Sequence, residues 1–144
     1  MSDTGLYDLY SERILGLAAA IPHLEPLPVP GAHGQKRAPM CGSTIGVDLV
    51  IEDGRIAGFS QQVRACALGQ ASAAIFGAQA IGRSRAEVQR ARDQLEAMLK
   101  GGPVPEAPFA DYALLQAARD YPARHGSILL ALEATLAAWD AAEA

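Results

Sequence analysis

The chain has 144 residues, half of them hydrophobic, and carries 12 Lys and Arg against 16 Asp and Glu, a net charge of −4. That length and composition predict one domain over residues 1–144, with an apolar core that needs no disulfide staples. The scattered bases exclude a nucleic-acid surface, and no apolar run reaches the roughly 18 residues of a membrane span. The opening Met1-Ser2-Asp3-Thr4 lacks a basic-then-apolar leader, so the expected location is cytoplasmic, where thiols stay reduced.

Residues 6–21 repeat Leu6, Leu9, Tyr10, Ile14, Leu17 and Ile21 at three- and four-residue steps, the pattern of an amphipathic helix. Pro22 ends it, and Pro26, Pro28 and Pro30 carry an extended connector to Gly31. Residues 32–39 are polar and read as either a short edge strand or a loop. Ile45, Val47, Leu49 and Ile51 alternate with Gly46, Asp48, Val50 and Glu52, and Asp53-Gly54 is a two-residue hairpin turn. Residues 55–63 return as the partner strand with Ile56, Phe59 and Val63. After Cys66 the period becomes helical, with Leu68, Ala71, Ile75 and Gln79 on one face and small residues around them. Ser84-Arg85-Ala86-Glu87 is a capping box for a helix striped by Val88, Ala91, Leu95, Met98 and Leu99. Gly101-Gly102-Pro103 stops that helix. Residues 109–119 predict a short helix carrying Tyr112, Leu115 and Ala118. A last helix over residues 127–141 places Ile128, Leu132, Leu136 and Trp139 on one face. Helix, hairpin, then several helices make an α+β fold: a small antiparallel sheet of about three strands packed against helices.

The chain has two cysteines, Cys41 and Cys66, each at a predicted junction. Cys66 opens a helix whose free N–H groups and positive end favour a thiolate, the form that is both nucleophile and metal ligand. The same residue also fits the role of a small buried hydrophobe. Cys41 lies in Pro39-Met40-Cys41-Gly42-Ser43, where Gly42 allows a tight backbone course. His125, just ahead of the last helix, is held neutral by a helix N-terminus and so is able to bind metal. His23 and His33 sit in Pro/Gly-rich surroundings. The chain has no zinc-finger spacing, phosphate loop or Gly-x-Ser-x-Gly motif.

In order along the chain, the segments Leu9-Tyr10-Ser11-Glu12-Arg13-Ile14-Leu15, Ala38-Pro39-Met40-Cys41-Gly42-Ser43, the Asp53-Gly54 hairpin, Ala65-Cys66-Ala67-Leu68-Gly69-Gln70-Ala71-Ser72-Ala73 and His125-Gly126-Ser127-Ile128-Leu129 resemble the U-type iron–sulfur scaffold family of IscU, SufU and the NifU N-terminal domain. The long stretch after Cys66 is closer to the SufU branch. The resemblance implies a SufE/NifU-like fold. It also implies three cysteines, with an aspartate after the first, that bind zinc or a nascent [2Fe–2S] cluster and accept sulfur from a cysteine desulfurase. Cys41 and Cys66 match two of those cysteines. Ser43 stands in place of the aspartate, and Gly126 or Ser127 in place of the third cysteine.

The resemblance therefore implies a scaffold that binds iron or a labile [2Fe–2S] cluster, with zinc as the alternative metal. Its ligands are Cys41 and Cys66, with His125 as the third. Its partners are a cysteine desulfurase and apo iron–sulfur recipients, and no enzymatic activity is implied. Two other roles are open. One is a sulfurtransferase in which Cys66 accepts persulfide sulfur, and the other is an adaptor of the assembly machinery. Three donors fall short of the four that a stable zinc or [2Fe–2S] site takes, so an external thiol, a water or a partner residue has to complete the shell.

Overall fold

A computed structural model describes residues 10–29 and 31–143. Helix α1 (Glu12–Ala19) is capped by Ser11, whose hydroxyl accepts from the Ile14 N–H at 3.3 Å. The earlier part of the helix predicted over residues 6–21 falls mostly outside the described residues. Three strands follow, β1 (Ala32–Arg37), β2 (Thr44–Glu52) and β3 (Arg55–Arg64), antiparallel in the order β1-β2-β3. Asp53 and Gly54 both have positive φ, 54° and 72°, the backbone that a tight two-residue hairpin turn demands.

The polar segment before Cys41 is a strand because the sheet buries one face. Ile45, Val47, Leu49 and Phe59 are buried on that face. Gly34 of β1 admits the long C-terminal helix against the strand, for a Cβ there would lie 2.7 Å from the Ala137 backbone. The other face consists of three cross-strand rows: Arg37–Thr44–Arg64, Gln35–Gly46–Gln62 and His33–Asp48–Ser60. Residues 22–29 run beside β3 and cover the far end of this face. There the Gln61 N–H donates to the His23 carbonyl at 2.9 Å and the Ser60 hydroxyl to the Glu25 carbonyl at 2.7 Å.

Five helical elements follow among the described residues: α2 (Ala67–Gln79), α3 (Arg85–Leu99), a 3₁₀ segment (Ala110–Asp120), a 3₁₀ turn (Pro122–Arg124) and α4 (His125–Glu143). Helix α4 lies between β1 and β2 on one side and α2 and α3 on the other, and α1 packs on α2. Its central position explains why it is buried almost all round, from Ser127 to Trp139. Helix α2 is buried likewise, including Phe76, because its alanines, serine and glycines let neighbours approach from several sides. The short helix predicted over residues 109–119 is present and is of 3₁₀ type. Its buried residues, Tyr112, Leu115 and Ala118, fall at strict three-residue steps, which matches the three residues per turn of that helix. Tyr112 pins the segment to α2: its hydroxyl donates to the Ser72 carbonyl at 2.9 Å and lies 3.0 Å from the Ser72 hydroxyl.

Candidate functional site

Three chain junctions meet at one end of the sheet. The first is the turn from β1 to β2. It closes through an Ala38 N–H bond to the Ser43 carbonyl (2.8 Å) and a Gly42 N–H bond to the Ala38 carbonyl (2.9 Å). Gly42 has φ +72°, a conformation that a side chain disfavours, and this tight course presents Cys41. The second junction runs from β3 into α2, with Cys66 as the N-cap residue. The third is the first turn of α4, which carries His125 and Ser127. Both cysteines are free thiols and half-buried.

Ser43 and Ser127 join the junctions. The Ser127 hydroxyl donates to the Ser43 oxygen at 3.1 Å across 84 residues of chain. Ser43 Oγ also accepts from the Cys66 N–H at 3.4 Å and lies 3.1 Å from Cys41 Sγ. Cys66 Sγ lies 3.4 Å from Ser127 Oγ. A hydroxyl has a single proton to give. With Ser127 donating to Ser43, the Ser43 proton is free for Cys41 and the Ser127 oxygen for the Cys66 thiol. The chain of donors thus runs from Cys66 through Ser127 and Ser43 and ends on Cys41 as acceptor.

Electrostatics favour the same end of that chain. Partial burial works against a Cys41 thiolate. Hydrogen bonds from the Ser43 hydroxyl and backbone N–H, the nearby Ser127 hydroxyl dipole and the positive charge of Arg124 outweigh it and lower the Cys41 pKa. The Cys66 sulfur makes no cap hydrogen bond and faces Ser127.

His125 begins α4, with its Nε2 at 2.8 Å from the Ala118 carbonyl. Donation from Nε2 fixes the tautomer that leaves the Nδ1 lone pair free, the arrangement in which a backbone carbonyl orients a ligating imidazole. Among the described residues, however, no three His, Cys, Asp or Glu side chains come together as a metal-holding group. The structure therefore joins Cys41 to Cys66 and does not bring His125 into that pair. His23 caps the connector beside Phe59, edge to face with the ring at 5.7 Å, and His33 pairs with Asp48 on the open sheet face at 2.9 Å.

Of the two candidates for the missing third cysteine, Ser127 faces both thiols, while a Cβ at Gly126 would point at Ala38. Sequence reasoning treated Ser43 and Ser127 separately, and nothing local in the sequence announces their bond. It also passed over Gly69, although a Cβ there would run into the Ser127 hydroxyl and stand 2.8 Å from the Ala65 Cβ. The sulfurs are soft donors of the kind iron and zinc take, the imidazole is an intermediate one and the neutral hydroxyls are poor ligands, so the two thiols alone leave any metal open to an outside ligand.

No family model and no curated protein sequence matches the chain, whereas solved structures do. The N-terminal part of a nitrogen-fixing NifU-like protein from Brucella abortus is 38% identical, covers 96% of this chain and 97% of its own, and superposes with a TM-score of 0.92. A protein assigned as an iron–sulfur cluster assembly scaffold for the SUF system of the thermophile Fervidobacterium islandicum shares the fold at 20% identity, 92% and 98% coverage and a TM-score of 0.81. A hypothetical protein does so at 22% identity, 93% and 98% coverage and a TM-score of 0.79. With 38% identity over nearly the whole of both chains, this protein belongs to the NifU-like family, the group of scaffold domains that includes IscU and SufU.

Proposed function

We propose that this protein is an iron–sulfur cluster assembly scaffold that holds iron or a labile [2Fe–2S] cluster as cargo, or zinc in its place, through Cys41 and Cys66. The observation that carries the reading is the meeting of two reduced, half-exposed thiols from separate junctions at one rim of the fold. His125 serves as the third donor through Nδ1. The Nε2 bond to the Ala118 carbonyl holds the ring in the tautomer this needs. Neutral hydroxyls at Ser43 and Ser127 stabilise thiolates by donation but add no charge, so the cargo stays weakly held, which suits transfer to recipient proteins. Reconstitution under argon with ferrous iron, sulfide and an added thiol should give charge-transfer absorption in the wild type and none in Cys41→Ser or Cys66→Ser. Undiminished absorption in either variant would remove that residue from the site.

The donor chain ending on Cys41 favours a second reading, sulfur acceptance from a cysteine desulfurase. In that step the Cys41 thiolate attacks the outer sulfur of the desulfurase persulfide. The S–S bond of the donor breaks, its cysteine leaves as a thiolate, and Cys41 carries the persulfide. On this reading the acceptor is Cys41 rather than the Cys66 expected from the sequence. Intact mass measurement after incubation with desulfurase and cysteine should show one added sulfur that Cys41→Ser abolishes and Cys66→Ser retains.

A further inference from the structure

The uncovered face of the sheet holds a cleft of about 310 Å³ at the end nearest the thiols. Its floor is Gly46 and its walls are Gln35, Thr44, Gln62 and Arg64. The cleft exists because residue 46 has no side chain: a Cβ there would stand 2.6 Å from Gln62 Oε1 and 3.2 Å from the His33 ring. Arg37 and Arg64 flank Thr44 in one cross-strand row. Thr44 follows Ser43, Arg64 precedes Cys66 by two residues, and the Arg37 guanidinium reaches toward Gly42 beside Cys41. Among the described residues, Arg55, Arg83, Arg85 and Arg92 have carboxylate partners, whereas Arg37 and Arg64, like Arg13, Arg90, Arg119 and Arg124, have none.

We propose that this cleft takes the carboxylate end of a low-molecular-weight thiol, whose sulfur reaches round the end of the sheet and supplies a ligand that Cys41 and Cys66 leave open. The Arg64 guanidinium and the Thr44 hydroxyl in its wall match a carboxylate in charge and hydrogen bonding, and Arg37 stands beside them in the same row. At the other end of the cleft Asp48 is held by His33 at 2.9 Å and by the Gln62 amide at 3.0 Å. Its charge keeps a carboxylate at the arginine end and accepts an ammonium. The thiols lie toward α4 and the cleft lies on the opposite face, so the sulfur has to stand several bonds from the carboxylate. A tripeptide thiol meets that demand and a two-carbon thiol does not. The ligand role rests on the scaffold reading above, but the anion site does not.

The test begins with ¹⁵N-labelled apoprotein titrated with glutathione. The amides of Thr44, Gly46, Gln62 and Arg64 should shift together. S-methylglutathione should bind equally well, the diethyl ester at least tenfold more weakly, and the double variant Arg37→Gln/Arg64→Gln not measurably. Gly46→Ala, which fills the floor, should lose binding as well. Absence of these shifts, or equal shifts and affinity with inorganic phosphate, overturns the proposed site. The second arm measures cluster lifetime under argon. Glutathione should extend it at least fivefold over 2-mercaptoethanol in the wild type and give no advantage in the double variant. Equal lifetimes in the wild type overturn the ligand role. If no thiol supports a cluster while the amide shifts persist, the scaffold reading fails and the anion site stands.

Discussion

Two nodes tie the molecule together at its junctions, and they use opposite chemistry. At the node around Glu87, Arg55 of β3 and Arg83 of the preceding loop donate to its carboxylate at 2.7 and 2.9 Å. The same carboxylate accepts from the Ser84 N–H while Ser84 Oγ accepts from the Glu87 N–H, a complete capping box on α3. The bond from Ser84, partial burial and the two arginines leave the Glu87 pKa at about 2. Both arginines there pair with the one carboxylate, and Arg83 Nε is the single buried group of the node without a hydrogen-bond partner. At the thiol node the joining groups are hydroxyls and sulfurs, and the nearby arginines 37, 64 and 124 have no ion-pair partner among the described residues. The contrast separates architecture from function: a closed network holds elements in place, and an open one has capacity left for something that arrives from outside.

The strongest way to break the contrast is to restore charge at the thiol node. Ser43→Asp with Ser127→Cys puts two anionic donors beside the thiols, and zinc affinity should rise on the order of 100-fold or more as the set approaches four ligands. Competition against a chromogenic chelator measures it, and an unchanged affinity would mean that the four positions do not share a centre. Next in size is Gly69→Ala, which drives a methyl group into the Ser127 hydroxyl and Ala65. Overpacking of this kind costs about 1–3 kcal/mol, read as a fall in the denaturation midpoint, and it should also slow alkylation of Cys41.

At the closed node, Glu87→Gln should cost about 1 kcal/mol through the weakened cap. Its pKa is lowered on folding, so the stabilisation is present above the ordinary value of 4.5 and is lost as pH falls from there toward about 2. Thermal melts across that window should show a shallower acid loss in the variant. The smallest effect is local. Ser43→Ala removes the proton donated to Cys41, and the pH midpoint of Cys41 alkylation should move up while the fold stays intact.

How far the sequence discloses each region follows from how local its determinants are. The capping box and the Asp53-Gly54 turn lie within four residues and are legible at once. The 3₁₀ segment was visible in its three-residue steps, once these are weighed against a helical period of 3.6. Strand β1 is legible only as one of two readings, edge strand or loop, because its outward residues are polar and its key inward residue, Gly34, has no side chain to give a pattern. The thiols were legible as chemistry and by resemblance. The bond between Ser43 and Ser127 was not, since it joins positions 84 residues apart and depends on how α4 docks on the sheet.

The hydroxyl pair has a consequence for the protein without cargo. A cage of several thiolates and a carboxylate repels itself when empty and leans on its metal for folding. Here the groups that join the rim are neutral and hydrogen-bond one another. Iron starvation or a strong chelator should therefore leave this molecule folded and ready to be refilled, rather than exposed to proteolysis.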